Sequence, residues 1–187
     1  MSFPSRSLAV ALWTAFSASF AAAQTSSYSS FAADAPPRKG SSAVWAIANY
    51  VNPQESQAGN TAGFDGGFEY YFCRHVSGGV ALGFWRASFA GDHVNEAYID
   101  GEAAHHFVAG SHLDPYVQGG IGAYRTNLGS FGSSGTTRLG GFFGGGCAFL
   151  LSRAFAFDAA ARYHVAHAAE GVHGNFWEAG GGLRFYF

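Results

Sequence analysis

Between residues 155 and 187 the side chains alternate in character, two residues at a time, through two successive runs. One set is Phe155, Phe157, Ala159, Ala161, Tyr163 and Val165, then Trp177, Ala179, Gly181, Leu183, Phe185 and Phe187. The other is Asp158, Arg162 and His164, then Glu178, Arg184 and Tyr186, spaced by Ala and Gly. Alternation of this kind places the two sets on opposite faces of two β-strands. One face is continuously apolar and aromatic, and the other carries every charge of both strands.

The same rhythm runs back through the chain. Eight alternating segments are expected, at about 42–52, 63–73, 78–89, 95–108, 115–127, 136–151, 154–167 and 174–187. Their lengths meet or exceed the roughly 9–11 residues that a tilted strand needs to cross a membrane. The connections at 53–62, 90–94, 128–135 and 168–173 include the longest loops, with Gly/Ser/Asn-rich tips at 54–62 and 128–135. Those at 74–77, 109–114 and 152–153 are mostly tight. Short periplasmic turns and longer outer loops follow the rule for membrane barrels, and an even strand number leaves both termini on the periplasmic side.

The faces can be followed segment by segment. In the second, Phe64, Gly66, Phe68, Tyr70 and Phe72 oppose Asp65, Glu69 and Tyr71. In the fourth, Ile99, Ala103 and Phe107 oppose Asp100, Glu102 and His106. The fifth sets Val117, Ile121 and Ala123 against Gln118 and Tyr124, and the sixth sets Leu139, Phe143, Phe149 and Leu151 against Arg138 and several glycines. The first segment is ambiguous, and in the third Trp85 and Arg86 blur the alternation of Val80, Leu82 and Phe84.

Composition decides which face is outside. The 187 residues include 27 Gly and 17% aromatics but are only 12% charged, against about 25% in ordinary soluble domains. Lys39 is the one lysine. A soluble lipocalin-like barrel also alternates, but with its bulky apolar face inward. Here the charged face is filled out with Gly and Ala, as a narrow eight-stranded lumen requires. Arg turned to lipid costs about 2–4 kcal/mol at the midplane. Charges therefore point in and aromatics out. Only closure satisfies the backbone of strands in lipid, so the expected fold is all-β, an eight-stranded antiparallel up-and-down transmembrane β-barrel over 42–187. The net charge of −2 excludes a basic nucleic-acid footprint.

Residues 1–23 stand apart. Arg6 is followed by an apolar run from Leu8 to Phe20 and by Ala21-Ala22-Ala23 before Gln24, the order of a secretory signal peptide. Residues 24–41, rich in Ser, Ala and Pro, read as a flexible periplasmic lead. Cys73 and Cys147 fall on non-adjacent strands and opposite faces, so no disulfide is expected.

The inward set gathers Glu69, Asp100, Glu102, Asp158 and Glu178 against Arg138, Arg162 and Arg184, with Asp65, His106 and His164 as further members. A last hairpin centred on Gly171 sets His164 opposite Glu178 and Asp158 opposite Arg184, two complementary cross-strand pairs. A catalytic or ion-conducting interior is one reading of the set. The favoured one is a salt-bridged plug in a lumen too small for a channel. His164, His167, Glu170 and His173 have the composition of a metal site, but His164 and His167 point to opposite faces. No metal and no cofactor are expected.

Four stretches carry a resemblance: Pro115-Tyr116-Val117 leading into Gly119-Gly120-Ile121-Gly122, the strand at 140–146, Ala161-Arg162-Tyr163-His164, and Gly182-Leu183-Arg184-Phe185-Tyr186-Phe187. They resemble the bacterial outer-membrane β-barrel family of OmpA/OmpX type. The resemblance implies a bacterial outer membrane, contact with lipid and lipopolysaccharide, and an extracellular ligand met by the loops. It also implies that Leu183, Phe185 and Phe187 form the signal read by the barrel-assembly machinery.

A second, partial likeness is to the outer-membrane lipid A 3-O-deacylases, whose penultimate strand carries a His-x-Ser-Asn pattern followed by a catalytic Glu. His164 and Glu178 match that pair, which would make them catalytic. Ala166 stands at the serine position and His167 at the asparagine position, so the nucleophile is missing. The expected role is therefore envelope integrity or surface interaction and not catalysis, with a deacylase-like acyl hydrolase as the alternative and a narrow transport pore third.

Overall fold

The computed structural model describes residues 37–54, 59–89, 92–107, 112–128, 135–166 and 174–187. The segments read as signal peptide and most of the lead lie outside the described residues, as do His167, Glu170 and His173.

Among the described residues the chain forms eight strands and no helix: β1 (Ser42–Pro53), β2 (Thr61–Cys73), β3 (Val76–Phe89), β4 (Asp92–His106), β5 (Leu113–Leu128), β6 (Thr136–Leu150), β7 (Phe155–Ala166) and β8 (Phe176–Tyr186). Each pairs antiparallel with the next, and β8 pairs back onto β1 from Ala43 opposite Tyr186 to Pro53 opposite Phe176, closing the barrel. Closure leaves no strand edge, so the ladders satisfy the backbone without water.

β3, β4 and β5 begin earlier than their apolar stretches, whereas β7 (Phe155–Ala166) and β8 (Phe176–Tyr186) are shorter than the expected 154–167 and 174–187. β3 starts at Val76 instead of 78, β5 at Leu113 instead of 115, and β4 at Asp92 instead of 95. The last shrinks the expected 90–94 loop to two residues, with Phe89 paired opposite Asp92. Backbone pairing, not side-chain hydrophobicity, sets these ends, because each added rung satisfies backbone donors and acceptors.

The outer surface is an apolar belt. Ile121 is 78% exposed and Leu139 80%, and Phe64, Leu82, Phe143 and Leu183 are also exposed. The inner face buries Asp65, Glu69, Asp100, Asp158, Arg162, Glu178 and Arg184. That is the reverse of a soluble barrel. The two ambiguous segments resolve: Trp45, Ile47, Asn49 and Val51 of β1 are buried while Val44 and Tyr50 are exposed, and Trp85 is buried while Arg86 points out.

The lumen is layered. Near the end that holds Ser42 and Phe187, the periplasmic end by the short-turn rule, Ala43, Tyr71, Ala148, Leu150, Ala156 and Tyr186 pack together. Trp45, Ile47 and Ala81 form a second group with Ala160 against it. Toward the outer end Val51, Trp85, Val94, Tyr98, Tyr124 and Phe176 close the interior. Two inward glycines make room for rings. A Cβ on Gly83 would lie 2.1 Å from Cζ of Tyr98, and one on Gly67 would lie 2.6 Å from the Trp45 ring. Glycine is required where another group approaches the backbone so closely.

Candidate functional site

The charged interior separates into two clusters. Near the periplasmic end, Arg184 of β8 donates from Nε and Nη2 to Asp158 Oδ2 of β7, at 2.9 and 2.6 Å. Its Nη1 donates to Glu69 of β2 and, at 3.0 Å, to the Tyr71 hydroxyl. The guanidinium also lies over the Tyr116 ring, 5.3 Å from the centroid, and the Tyr116 hydroxyl donates to Asp158 Oδ1 at 2.9 Å. One cation thus ties together β2, β5, β7 and β8. Arginine suits this place because its planar fork serves several acceptors at once.

His106 of β4 continues the cluster. Nδ1 lies 2.8 Å from Asp114 Oδ2 and Nε2 lies 3.0 Å from the Ser77 hydroxyl. By distance alone these three form an Asp–His–Ser row. The bonding of Ser77 opposes a catalytic reading, because its hydroxyl is engaged by the Glu69 carboxylate, to which it donates. Glu69 is itself 3.4 Å from Nε2. Ser77 is 1% exposed and His106 0%, which leaves no approach for a substrate carbonyl. Ser77 and Asp114 lie in the expected turns 74–77 and 109–114, so alternation alone does not bring them to the site. Only the longer strands turn them inward beside His106.

The outer cluster is built around Arg162 of β7. Nη1 donates to Asp65 Oδ2 at 3.0 Å and lies 3.6 Å from Glu178 Oε1. The guanidinium covers the Trp45 ring at 4.6 Å. Asn49 donates to Asp65 at 2.6 Å. The Tyr98 hydroxyl donates to Asp65 Oδ1 at 2.6 Å and lies 3.2 Å from Glu178 Oε2. His164 Nε2 lies 3.1 Å from Glu178 Oε1, and its Nδ1 is 3.0 Å from the Tyr124 hydroxyl. That hydroxyl donates to Asp100 Oδ2 at 3.1 Å. The His164 ring stacks on Phe176, with centroids 4.3 Å apart.

The register of the last hairpin differs from the expected one by two residues. Asp158 faces Gly182 and Arg184 faces Ala156, while His164 faces Phe176 and Glu178 faces Arg162. Both expected contacts form, but diagonally, because long side chains reach the neighbouring row. Arg138 stands apart from both clusters, donating to Thr126 Oγ1 at 2.7 Å, with Thr126 donating to Glu96 at 2.9 Å. Glu102 is half-buried, and its Oε2 has no hydrogen-bond partner among the described residues.

His164 points into the lumen and is fully buried there. Among the described residues no group of three or more His, Cys, Asp or Glu could hold a metal ion. Cys73 is exposed, Cys147 half-buried, and both are free.

No protein-family model matches the chain, and no curated protein matches it. Solved structures do. Neisserial surface protein A has 18% identity and a TM-score of 0.66 over 80% of this chain and 100% of its own. The N-terminal β-barrel domain of Pseudomonas aeruginosa OprF has 20% identity and a TM-score of 0.58 over 81% and 100%. Ail, the attachment invasion locus protein of Yersinia pestis, has 18% identity and a TM-score of 0.54 over 80% and 99%. At these identities the likeness is one of fold, and the inside-out distribution of charge is this chain's own. The chain has the fold of the eight-stranded bacterial outer-membrane β-barrels, and its apolar belt around a charged interior is the surface of a barrel that spans a membrane.

Proposed function

We propose that the protein is a sealed structural barrel that contributes to envelope integrity and offers its outer end for surface interaction. The observation that carries this reading is the layering of the lumen. Two networks of paired charges lie among apolar groups, with Leu150 and Tyr186 toward one end and Trp85 and Phe176 toward the other. An eight-stranded lumen is filled by its side chains, and the ion pairs of Arg162 and Arg184 run across it between strands. The outer half exposes Arg86 and Arg125, cations of the sort that meet acidic surface groups. Ail has been crystallised with the heparin analogue sucrose octasulfate, which supports surface interaction as a use for such an end. Leu183, Phe185 and Phe187 serve recognition by the barrel-assembly machinery.

The deacylase alternative is disfavoured by the inward position of His164 and by the bonding of both its ring nitrogens within the lumen. Mass spectra of lipid A from cells with and without the protein decide between the two. The structural reading expects the same acyl pattern in both, together with greater detergent sensitivity in cells lacking the protein. A lipid A species short of one acyl chain, present only when the protein is made, would establish the enzyme instead.

A further inference from the structure

At the periplasmic mouth an open concavity of about 640 Å³ is walled by Arg38, Lys39, Arg153 and Phe187. Its cations are held by backbone structure. Gly40, at φ 86°, closes a turn in which the Ser41 amide donates to Arg38 O at 3.1 Å and the Ser41 hydroxyl donates to the same oxygen at 2.7 Å. The Gly40 amide donates to Tyr71 O at 2.9 Å and pins that turn to the barrel. Opposite it, the Ser152 hydroxyl accepts from the Phe155 amide at 3.1 Å and shapes the turn that presents Arg153.

The charge at this end is one-sided. Arg38, Lys39, Arg74 and Arg153 are exposed there, as are His75, His105 and His112. The carboxylates near this end among the described residues, Glu69, Asp114 and Asp158, are all buried and bonded to Arg184 or His106 inside the lumen. The concavity also borders the lipid-facing aromatics: Phe155 and Phe185 lie 4.9 Å apart, and Phe185 and Phe187 6.0 Å. A cationic hollow at the foot of an apolar wall matches a ligand with a phosphate above acyl chains.

We propose that the hollow formed by Arg38, Lys39 and Arg153 binds the phosphate of an anionic phospholipid of the inner leaflet, with its acyl chains lying along Phe155, Phe185 and Phe187. The ligand class is a phosphatidylglycerol-like headgroup. A zwitterionic lipid brings its own ammonium group to the same place and is held more weakly.

The test is native mass spectrometry of the full-length folded protein released from nanodiscs of mixed phosphatidylcholine and phosphatidylglycerol. The expected result is preferential retention of phosphatidylglycerol, falling about fivefold for each charge removed in Arg38→Gln, Lys39→Gln and Arg153→Gln. Arg86→Gln with Arg125→Gln, at the other end, should leave the preference unchanged. Equal retention of the two lipids, or an equal loss in the outer-end variant, would overturn the proposal. Displacement by inorganic phosphate as readily as by phosphatidylglycerol would make the hollow a soluble-anion site and would also overturn it. Should the combined variant fail to reach the heat-modifiable folded form, a salt titration of the wild type decides. Retention held by ion pairs must fall as salt rises, and retention indifferent to salt contradicts the proposal.

Discussion

His164 Nε2 lies 3.1 Å from Glu178 Oε1 although the two are not cross-strand partners, since the pairing of β7 with β8 sets His164 opposite Phe176 and Glu178 opposite Arg162. The contact belongs to the packed interior, where the His164 ring is stacked on Phe176 and buried completely. His164→Ala therefore removes a hydrogen bond and a stacked ring together. The expected loss is about 1–3 kcal/mol, read from urea unfolding of the barrel refolded into vesicles, with lipid A unchanged. A variant of unaltered stability would contradict the structural role assigned to the ring.

Arg184 is the periplasmic cluster's tie. Arg184→Met leaves Asp158 and Glu69 buried without their cation, and removing one partner of a buried pair costs about 3–5 kcal/mol. Adding Asp158→Asn and Glu69→Gln to Arg184→Met should restore a large part of that loss, because the stranded charges go with it. Denaturant midpoints of the single and triple variants check this. A triple variant weaker than Arg184→Met would show that the carboxylates act independently of the arginine.

Gly83 is occupied in effect by Tyr98, whose ring sits where a Cβ would be. Gly83→Ala should cost about 1–3 kcal/mol through overpacking. The Tyr98 hydroxyl would also be pushed from Asp65. Combined with Tyr98→Ala, the same substitution should cost much less than the sum of the two, since the clash has been removed. Strict additivity in a double-mutant cycle would be the contrary result.

How far the sequence reaches can be judged from particular residues. Period-two alternation is a local signal, and it placed eight strands and turned Ile121 and Leu139 outward correctly. Register is not local. The barrel sets Arg184 opposite Ala156 because all eight strands close together and the rings of Trp45, Tyr98 and Phe176 must fit between them, and no pairwise charge rule inside one hairpin carries that information. Ser77 and Asp114 were hidden for a related reason. They sit beyond the apolar stretches, where only backbone pairing marks the strand. Arg138 was grouped with the other cations by face alone, since height along the barrel depends on the stagger between strands.

The belt and the assembly stripe can be separated experimentally. Ile121→Arg puts a charge in the lipid-facing belt and should cost about 2–4 kcal/mol near the midplane, in cells and in refolding alike. Phe185→Asp acts on the stripe proposed for the assembly machinery. Its expected signature is a lowered amount of folded barrel in the outer membrane together with near-normal refolding from urea into vesicles. Equal defects in both settings would remove the case for an assembly signal at Phe185.

Electrical recording in planar bilayers tests the sealed barrel most directly. With Arg162, Asp65, Glu178 and Tyr98 bonded across the lumen and Trp85 and Phe176 packed at its outer end, the wild-type protein should show no large, steady conductance at any applied potential. A porin-like current, steady and reproducible from the purified folded protein, would contradict the account.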